Sequence, residues 1–398
     1  MRFFSLGLMS GTSMDAIDAA LVLTEGDRDH LALHVQQEYP AGLRAMAQKL
    51  LRDPHTTTAD LSRVHYGVGE AFGAVASRAL ETALKKKIIR KRADVLAIGS
   101  HGQTVFHHPE ERHTMQLGEG SCIAAATGLT TVSDFRMADT AHGGEGAPLL
   151  PLYHRRLFRR EVKRGIAVHN LGGISNFTYL GPGGRVFALD TGPANCLMDV
   201  AIQKMSYGKA AYDDQGKVAA GGKVHDDLLQ GILGSAPVKT FLDRPAPKST
   251  GRELFSIPLV EDFLSRTRHM SENDVMATLL AVTVETIRAG YERFVIRRKL
   301  PLSEIVFCGG GAKNTFLLER IQSCFPKVEL RTMEDYGYAS QALEAQAFGV
   351  FAPLALAGLP LSHPHTTGCR EPAVCGKITP SANWKQVMRT VPSLRIRL

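Results

Sequence analysis

The sequence predicts an α/β protein that is built from a duplicated unit and holds a polyphosphate between its two halves. Residues 7–21 contain an apolar strand, a turn rich in Gly, Ser and Thr, and a second apolar strand. Residues 166–180 repeat this design about 160 residues later. Small residues in such turns let the backbone approach a ligand closely, and the amide N–H groups can face phosphate oxygens. The two hairpins therefore predict a nucleotide-using enzyme.

The first half of the chain alternates apolar strands with one long amphipathic helix. Residues 94–99 are a short apolar run, typical of a buried parallel strand, and end in the polar loop Ser-His-Gly-Gln-Thr. Open α/β sheets usually bind ligands at this end of a strand. The Gly-rich residues 134–149 have no periodicity of their own and predict a functional loop. Strands are expected at residues 3–9, 16–23, 31–38, 94–99 and 129–133, and the helix at 61–86.

The second half repeats this opening and then becomes helical. Its hairpin is followed by a strand at residues 185–189, the turn Asp-Thr-Gly-Pro-Ala-Asn and a helix from about Cys196. A strand at residues 305–308 enters three glycines and a further helix. A final helix from about Gln341 to Val350 should stop before Pro353, because proline removes a helical hydrogen bond. Other helices are expected near residues 223–233, 257–267 and 272–298.

Length, charge and cysteine content limit the class of protein. The 398 residues favour two or three domains, and no apolar run is long enough to span a membrane. The N-terminus lacks a signal-peptide pattern, and six scattered cysteines are typical of reduced thiols, so we expect a cytoplasmic location. The net charge is +8, but aromatic residues make up only 7%. This composition favours anionic substrates over nucleic acid, whose binding needs stacking aromatics among the basic residues.

Glycines and carboxylates are the main candidates for ligand binding, each with a structural alternative. Gly309, Gly310 and Gly311 lie between a strand and a helix, where they could contact a nucleotide or only form a tight turn. No GxxxxGK[ST] or GxGxxG pattern is present, which argues against a Walker loop and a dinucleotide dehydrogenase. Asp190 ends a strand and could face a cleft, form an Asx-turn or cap a helix.

Metal sites have weaker support. Asp15 and Asp18 follow the first turn, where they could orient a hydrated metal or hydrogen-bond the turn itself. Histidines cluster between residues 101 and 113, and two more precede Cys369 and Cys375. None has the spacing of a zinc site, so we expect no protein-bound metal centre.

Seven motifs occur in order between residues 7 and 311, and together they resemble one family. They are Gly-Leu-Met-Ser-Gly-Thr-Ser-Met-Asp, His-Gly-Gln-Thr, Asp-Phe-Arg with Gly-Gly-Glu-Gly-Ala-Pro-Leu, Asn-Leu-Gly-Gly-Ile-Ser-Asn, Asp-Thr-Gly-Pro-Ala-Asn, Pro-Lys-Ser-Thr-Gly-Arg-Glu and Cys-Gly-Gly-Gly. The chain resembles the anhydro-N-acetylmuramic acid kinases of the sugar kinase/Hsp70/actin superfamily. The resemblance implies an α/β fold of two RNase H-like (actin-like ATPase) domains with a nucleotide cleft between them. It further implies lobes at residues 1–135 plus about 355–398 and at 136–354, the latter binding the nucleotide.

The same resemblance implies an activity, partners and site residues. The enzyme would use ATP, Mg²⁺ and water to open 1,6-anhydro-N-acetylmuramic acid and phosphorylate its O6. It would be a cytoplasmic homodimer and would act in bacterial cell-wall recycling. Asp190 falls on the catalytic aspartate and Glu344 on a glutamate at the sugar end. The implied ATP-binding residues are Gly11, Thr12, Ser13, Met14, Asp15, Ala16, Ile17, Asp18, Gly172, Gly173, Gly309, Gly310 and Gly311. The other implied substrate-binding residues are His101, Gln103, Arg136 and Asn195.

The chemistry explains the residue types, and a few departures leave alternatives open. O6 of the bicyclic sugar is bonded to C1, so a carboxylate must activate water to attack C1 while O6 takes the γ-phosphoryl group. Met137 and Ala138 replace a possible substrate-binding arginine, and Ala194 stands where the family often has glycine. A relative acting on another sugar or polyphosphate, or a non-catalytic nucleotide sensor, are the alternatives.

Overall fold

The computed structural model describes residues 2–11, 14–53, 55–108, 111–250, 254–255 and 257–394, without the side chains of residues 51 and 52. Thr12 and Ser13, which were predicted to bind ATP, lie outside the described residues. None of the described helices is both long enough and apolar enough to cross a membrane.

The strands follow the predicted order, with additions in both halves of the chain. They are β1 (Arg2–Met9), β2 (Ala16–Glu25), β3 (Arg28–Glu38), β4 (Val95–Ser100), β5 (Gln103–His108), β6 (His113–Leu117), β7 (Thr131–Ser133), β8 (Ile166–Leu171), β9 (Ile174–Gly181), β10 (Arg185–Pro193), β11 (Glu304–Cys308), β12 (Glu329–Thr332) and β13 (Lys377–Thr379).

The helices cover the surfaces of the sheets. They are α1 (Ala41–Arg52), α2 (Thr58–Lys85), α3 (Gly120–Thr127), α4 (Met137–Ala141), α5 (Leu150–Leu157), α6 (Cys196–Met205), α7 (Lys217–Ala220), α8 (Asp226–Leu233), α9 (Ala236–Asp243), α10 (Ile257–Arg266), α11 (Glu272–Tyr291), α12 (Thr315–Cys324), α13 (Leu343–Leu356), α14 (Pro364–Thr367) and α15 (Trp384–Thr390).

Two compact units divide the chain, and each has one principal sheet. In unit 1 the strand order is β13-β7-β4-β1-β2-β3, and in unit 2 it is β10-β9-β8-β11-β12. Both sheets begin with three antiparallel strands, and the first of these pairs in parallel with a later strand, β4 or β11. The predicted duplication of an RNase H-like α/β domain is therefore confirmed.

The boundaries of the units differ from those expected. Unit 1 contains residues 1–157 and 341–398, and unit 2 contains residues 158–340. Helix α5 and the whole of α13 thus belong to unit 1, although the sequence assigned α5 and most of α13 to the second lobe. The reason is packing, because α13 lies against β1, β2 and β4 of the first sheet.

Helix α13 also corrects the expected stop before Pro353. It continues through this proline to Leu356, and its residues from Ala345 to Ala355 are all buried. The apolar surface that the helix buries offsets the hydrogen bond that proline cannot make.

The contact between α13 and its sheet depends on two glycines. Gly7 of β1 and Gly99 of β4 are direct partners in the parallel ladder. A Cβ atom added to Gly7 would lie 1.7 Å from the carbonyl oxygen of Ala345, and one added to Gly99 would lie 1.9 Å from that of Phe348. Only glycine permits this approach of helix backbone to strand backbone, so the glycine pair sets the position of α13 and of Glu344 within it.

Candidate active site

The turn between β1 and β2 is anchored by its apolar side chains. The N–H of Met14 donates to the carbonyl of Gly11 at 3.1 Å, and Met14 has a positive φ of 55°. The side chains of Met14 and Ile17 are buried in the core of unit 1, so only their backbone groups could face a phosphate. Ala16, Ile17 and Asp18 belong to β2 rather than to the turn. Of the described turn residues, Gly11 and Asp15 are exposed.

Gln103 fixes this turn from the neighbouring loop. Its Oε1 accepts hydrogen bonds from the hydroxyls of Ser10 (2.8 Å) and Tyr39 (3.1 Å). Its Nε2 donates to the carbonyls of Gly11 and Thr104, each at 3.2 Å. Gln103 is fully buried, and its donors and acceptor are all engaged within the protein. It was predicted to bind substrate, but in this structure its contacts hold the glycine turn.

Buried His101 and half-buried Arg136 form a hydrogen-bonded pair. Nδ1 of His101 lies 2.9 Å from the carbonyl of Gly102, which can only accept, so Nδ1 carries the proton. Nε2 then has a lone pair and accepts from Nε of Arg136 at 2.9 Å. Burial and the neighbouring guanidinium hold the pKa of His101 well below its ordinary value. The pair therefore presents a neutral imidazole and a charged guanidinium.

Glu344 at the start of α13 completes the charged group. Although the side chain is accessible to solvent, desolvation by the surrounding protein raises its pKa. Arg136 opposes this shift, and Asp18 adds to it. Burial lowers the pKa of Arg136 to about 10, with Glu344 and Asp139 opposing. The three predicted substrate residues His101, Arg136 and Glu344 are thus coupled within unit 1.

The loop after Arg136 is held by a residue that the sequence analysis did not single out. Asp139 is fully buried, and its Oδ2 accepts from the N–H of Gly146 at 2.7 Å. Its Oδ1 accepts from the hydroxyl of Thr367 at 2.6 Å, and Arg136 donates to the carbonyl of Gly146 at 2.7 Å. Both backbone groups of Gly146 are therefore fixed. The sequence did contain a signal for Asp139, because this aspartate lies between an arginine and a run of glycines.

Asp15 and Asp18 make hydrogen bonds around the first turn. Asp15 accepts from Arg44 at 2.7 Å, and Asp18 accepts from His34 at 2.8 Å and from Gln36 at 3.1 Å. Within the described ranges, no group of three or more His, Cys, Asp or Glu side chains could hold a metal ion.

In unit 2, two glycine turns and Asn195 meet at one end of the sheet. Nδ2 of Asn195 donates to the carbonyls of Leu171 (3.1 Å) and Gly172 (2.8 Å). The N–H of Ala194 donates to the carbonyl of Gly173 at 2.9 Å. Asn195 was predicted to bind substrate, but here its amide fixes the β8–β9 turn. The methyl of Ala194 is fully buried in the core of unit 2.

The second glycine turn packs against the first. Gly309 has a φ of +83°, and a Cβ there would lie 2.4 Å from Oδ1 of Asn170. A Cβ on Gly311 would lie 2.8 Å from Cβ of Leu171. Gly310 is exposed and has open space where its Cβ would be. The two turns thus form one glycine-lined edge with exposed backbone at Gly310.

Asp190 lies half-buried in β10 and is tied to the segment that contains Lys248. The N–H of Thr250 donates to Oδ2 of Asp190 at 2.7 Å, and the N–H of Asp190 donates to the carbonyl of Lys248 at 2.9 Å. These two hydrogen bonds connect β10 to the segment that contains Lys248. The arrangement provides a fixed carboxylate.

Lys248 anchors that segment from the other side. Its Nζ donates to the carbonyls of Phe241 (3.2 Å) and Leu242 (3.3 Å) at the end of α9 and lies 4.2 Å from the ring centre of Phe241. A cation at a helix C-terminus is favoured by the helix dipole. Burial, together with the neighbouring charge of Arg293, lowers the pKa of Lys248 to about 8.

The duplicated RNase H-like fold, with a glycine turn at a sheet edge in each unit, defines the actin-like class that includes sugar kinases. The chain matches the family anhydro-N-acetylmuramic acid kinase over residues 3–381. It is 37% identical over 378 residues to the anhydro-N-acetylmuramic acid kinase of Aliivibrio fischeri, covering 94% of this chain and 99% of that protein. It is 38% identical over 383 residues to that of Streptomyces coelicolor, covering 94% and 93% of the two chains.

The chain therefore belongs to the anhydro-N-acetylmuramic acid kinase family. It is a phosphotransferase that uses ATP to open 1,6-anhydro-N-acetylmuramic acid and phosphorylate O6, in peptidoglycan recycling.

Two solved structures with a similar fold are distant from this chain in sequence. Component A of (R)-2-hydroxyglutaryl-CoA dehydratase from Acidaminococcus fermentans matches with a TM-score of 0.44 and 12% identity, covering 88% of this chain and 97% of that chain. A ROK family glucokinase from Streptomyces griseus, in complex with glucose and AMPPNP, matches with a TM-score of 0.36 and 12% identity, covering 87% and 97%. The family assignment does not depend on these likenesses.

Proposed function

We propose that Asp190 is the general base of this reaction. The observation that carries the proposal is that a backbone N–H, that of Thr250, holds one oxygen of its half-buried carboxylate at 2.7 Å. In the proposed step, a water oxygen bonds to C1 of the sugar and gives its proton to Asp190. The C1–O6 bond breaks, and O6 takes the γ-phosphoryl group of ATP, so that ADP leaves. Inversion at C1 follows from this geometry of attack.

We propose that the coupled residues of unit 1 bind the sugar. Charged Arg136, which the neutral imidazole of His101 orients, offers a positively charged, hydrogen-bonding group for an anionic acceptor. The solvent-accessible carboxyl group of Glu344 can accept hydrogen bonds from sugar hydroxyls. Gln103 and Asn195, whose amides are engaged with the backbone, are proposed to act by holding the glycine turns.

The glycine turns are proposed to bind the phosphates of ATP. Gly11 and Gly310 have exposed backbone. The carbonyls of Gly172 and Gly173 accept backbone hydrogen bonds from the residues at the start of α6. Backbone N–H groups in such turns favour anions. Gly309 and Gly311 are proposed to shape the edge, since a side chain at either would collide with β8 residues.

Mg²⁺ is proposed to arrive bound to the phosphates of ATP. Protein sites for Mg²⁺ usually supply one or two carboxylates, and phosphates and water supply the rest. The exposed carboxylate of Asp15 could supply one such ligand. When bound, the ion neutralises charge on the transferring phosphoryl group.

The first experiment is ADP release with Mg-ATP and 1,6-anhydro-N-acetylmuramic acid, beside ordinary N-acetylmuramic acid. Positioned general bases contribute roughly 10²- to 10⁴-fold. Asp190→Asn should therefore lower turnover at least about 100-fold while ATP still binds by calorimetry. Asp227→Asn, an exposed carboxylate on α8, is the control and should keep normal turnover. Near-normal turnover of Asp190→Asn would remove Asp190 from the mechanism.

The cellular context is also proposed. All six cysteines remain thiols, and five of them are buried, which supports a reducing compartment such as the cytoplasm. A homodimer is proposed from family membership alone, and we propose no nucleic-acid partner. Sedimentation equilibrium would test the dimer, and a single species of about the chain's own mass would refute it.

A further inference from the structure

A β-bulge lies directly after Asp190. In the antiparallel ladder of β10 and β9, Asp190 pairs with Asn176 and Gly192 pairs with Ser175. Thr191 therefore has no partner of its own. A bulge residue turns its strand locally and re-aims the neighbouring side chains. The direction of the Asp190 carboxylate thus depends on how Thr191 is held.

Thr191 is held by a hydroxyl pair and by a close helix contact. Its Oγ1 donates to the carbonyl of Ser175 at 3.2 Å and lies 2.6 Å from the Ser175 hydroxyl oxygen. A Cβ on Gly290 of α11 would lie 2.7 Å from Cγ2 of Thr191, so glycine leaves room for the threonine methyl. If Thr191 gives its single hydroxyl proton to the Ser175 carbonyl, it accepts the proton of the Ser175 hydroxyl, and the two residues that follow decide for this direction.

The chain of hydrogen bonds continues to His169 and Tyr291, both fully buried. Nε2 of His169 lies 2.7 Å from Oγ of Ser175, and Nδ1 lies 3.0 Å from the hydroxyl of Tyr291. The Ser175 hydroxyl has already donated its proton, so it must accept one from Nε2. Nδ1 then has the lone pair, and Tyr291 donates to it. This direction satisfies every proton of the four groups, and the reverse direction would leave the buried phenol proton of Tyr291 without an acceptor in the chain.

We propose that His169, fixed as the Nε2–H tautomer, is a positioning residue that sets the direction of Asp190 through Ser175 and Thr191. The proposal rests on the proposed role of Asp190 as the base. No member of the chain needs to contact the substrate. Burial supports it by lowering the pKa of His169 to about 3, so the imidazole stays neutral and keeps one donor and one acceptor at neutral pH. Loss of this series of hydrogen bonds should therefore reduce turnover and leave ATP binding unchanged.

The kinetic test uses Thr191→Val, which keeps the shape of the side chain but removes its hydroxyl, and Thr191→Ser, which keeps the hydroxyl. A misplaced catalytic group can cost up to about 100-fold in rate. We expect Thr191→Val to lower kcat about 10- to 100-fold with the KM for ATP unchanged, and Thr191→Ser to stay within about threefold of wild type. Equal turnover of Thr191→Val and wild type would overturn the proposal.

The second readout is spectroscopic and does not depend on activity. Nitrogen-15 NMR of the histidine imidazoles should show His169 with a protonated Nε2 and a bare Nδ1. A protonated Nδ1 would overturn the proposed chain. If Thr191→Val does not fold, Tyr291→Phe tests the chain from its other end. It removes the donor to Nδ1, so the imidazole is held from one side only and kcat should fall several-fold, whereas an unchanged kcat would count against the proposal.

The outcomes separate this inference from the role of Asp190. An inactive Asp190→Asn variant beside a fully active Thr191→Val variant would refute the positioning role alone. An active Asp190→Asn variant would refute both, since there would be no base to position.

Discussion

Replacing Gly7 with alanine should displace helix α13 from its sheet. The added Cβ would lie 1.7 Å from the carbonyl oxygen of Ala345 and 2.3 Å from the N–H nitrogen of Gly349. Both atoms are backbone, so no side chain can rotate away. Since real Cβ contacts essentially never fall below 3.0 Å, the helix must move by about 1.3 Å.

This displacement has a cost in stability and in activity. Forcing extra carbon into a packed core costs 1–3 kcal/mol, and more when backbone must move, so we expect a loss of about 3 kcal/mol or more. For a unit of roughly 200 residues this lowers Tm by roughly 6–12 °C. Because Glu344 directly precedes Ala345, turnover should fall as well.

The assay is thermal and urea unfolding of Gly7→Ala, followed by ADP release. Gly231→Ala is the matched control, since Gly231 lies within α8 and has open space around its Cβ position. Alanine there should stabilise by about 0.5–1 kcal/mol. A Gly7→Ala protein with the Tm of wild type would refute the idea that the glycine contact positions α13.

Three further predictions concern buried ionisable side chains. Arg156 and Asp29 form a fully buried ion pair, so Arg156→Met should destabilise by about 3–5 kcal/mol in urea unfolding, and the double variant with Asp29→Leu should recover much of this loss. Burial lowers the pKa values of His154 and His169 to about 3, below the ordinary 6.5. Below pH 6.5 the unfolded chain binds protons that the native state does not, so stability should fall, by about 2 kcal/mol per histidine at pH 5. His169→Gln should flatten this slope, and an unchanged slope would contradict the assignment. The pKa of Lys248 is about 8 against an ordinary 10.5, so the unfolded chain keeps a proton that the native state loses. Stability should therefore rise between pH 8 and pH 10.5, and Lys248→Met should abolish that rise.

Much of the fold was predictable because its signals are local. The apolar strands around the turns at residues 10–15 and 172–173 are continuous, and β8, β9 and β11 lie where the sequence placed them. The hairpin of β5 and β6 was missed, because residues such as His107, His108 and His113 give it a polar composition that resembles a loop. The end of α13 was misplaced because burial, which the sequence does not display, outweighs the local preference of Pro353.

The sequence motifs supplied candidate site residues, but they did not show what each side chain contacts. Gln103 and Asn195 were identified by motif, yet their amides bind backbone, and that distinction depends on neighbours far apart in sequence. Asp139 and Lys248 were missed for the same reason, since their partners Thr367 and Phe241 could not be paired with them in advance. Local composition shows which groups are present, and only the folded chain shows what each one contacts.

The order of the two units along the chain has a consequence for synthesis on the ribosome. Unit 2 is one continuous segment, residues 158–340. Unit 1 also needs residues that follow unit 2 in the sequence, including helix α13, which packs against Gly7 and Gly99. Asn383 also accepts a hydrogen bond from the N–H of Thr130 at 2.7 Å and donates to the carbonyl of Leu96 at 3.0 Å. At translation rates of about 5–20 residues per second, unit 2 emerges complete roughly 3–11 s before residues 341–394 are available. We therefore expect unit 2 to fold first on the nascent chain. The N-terminal part of unit 1 should stay partly exposed until the C-terminal residues have been synthesised.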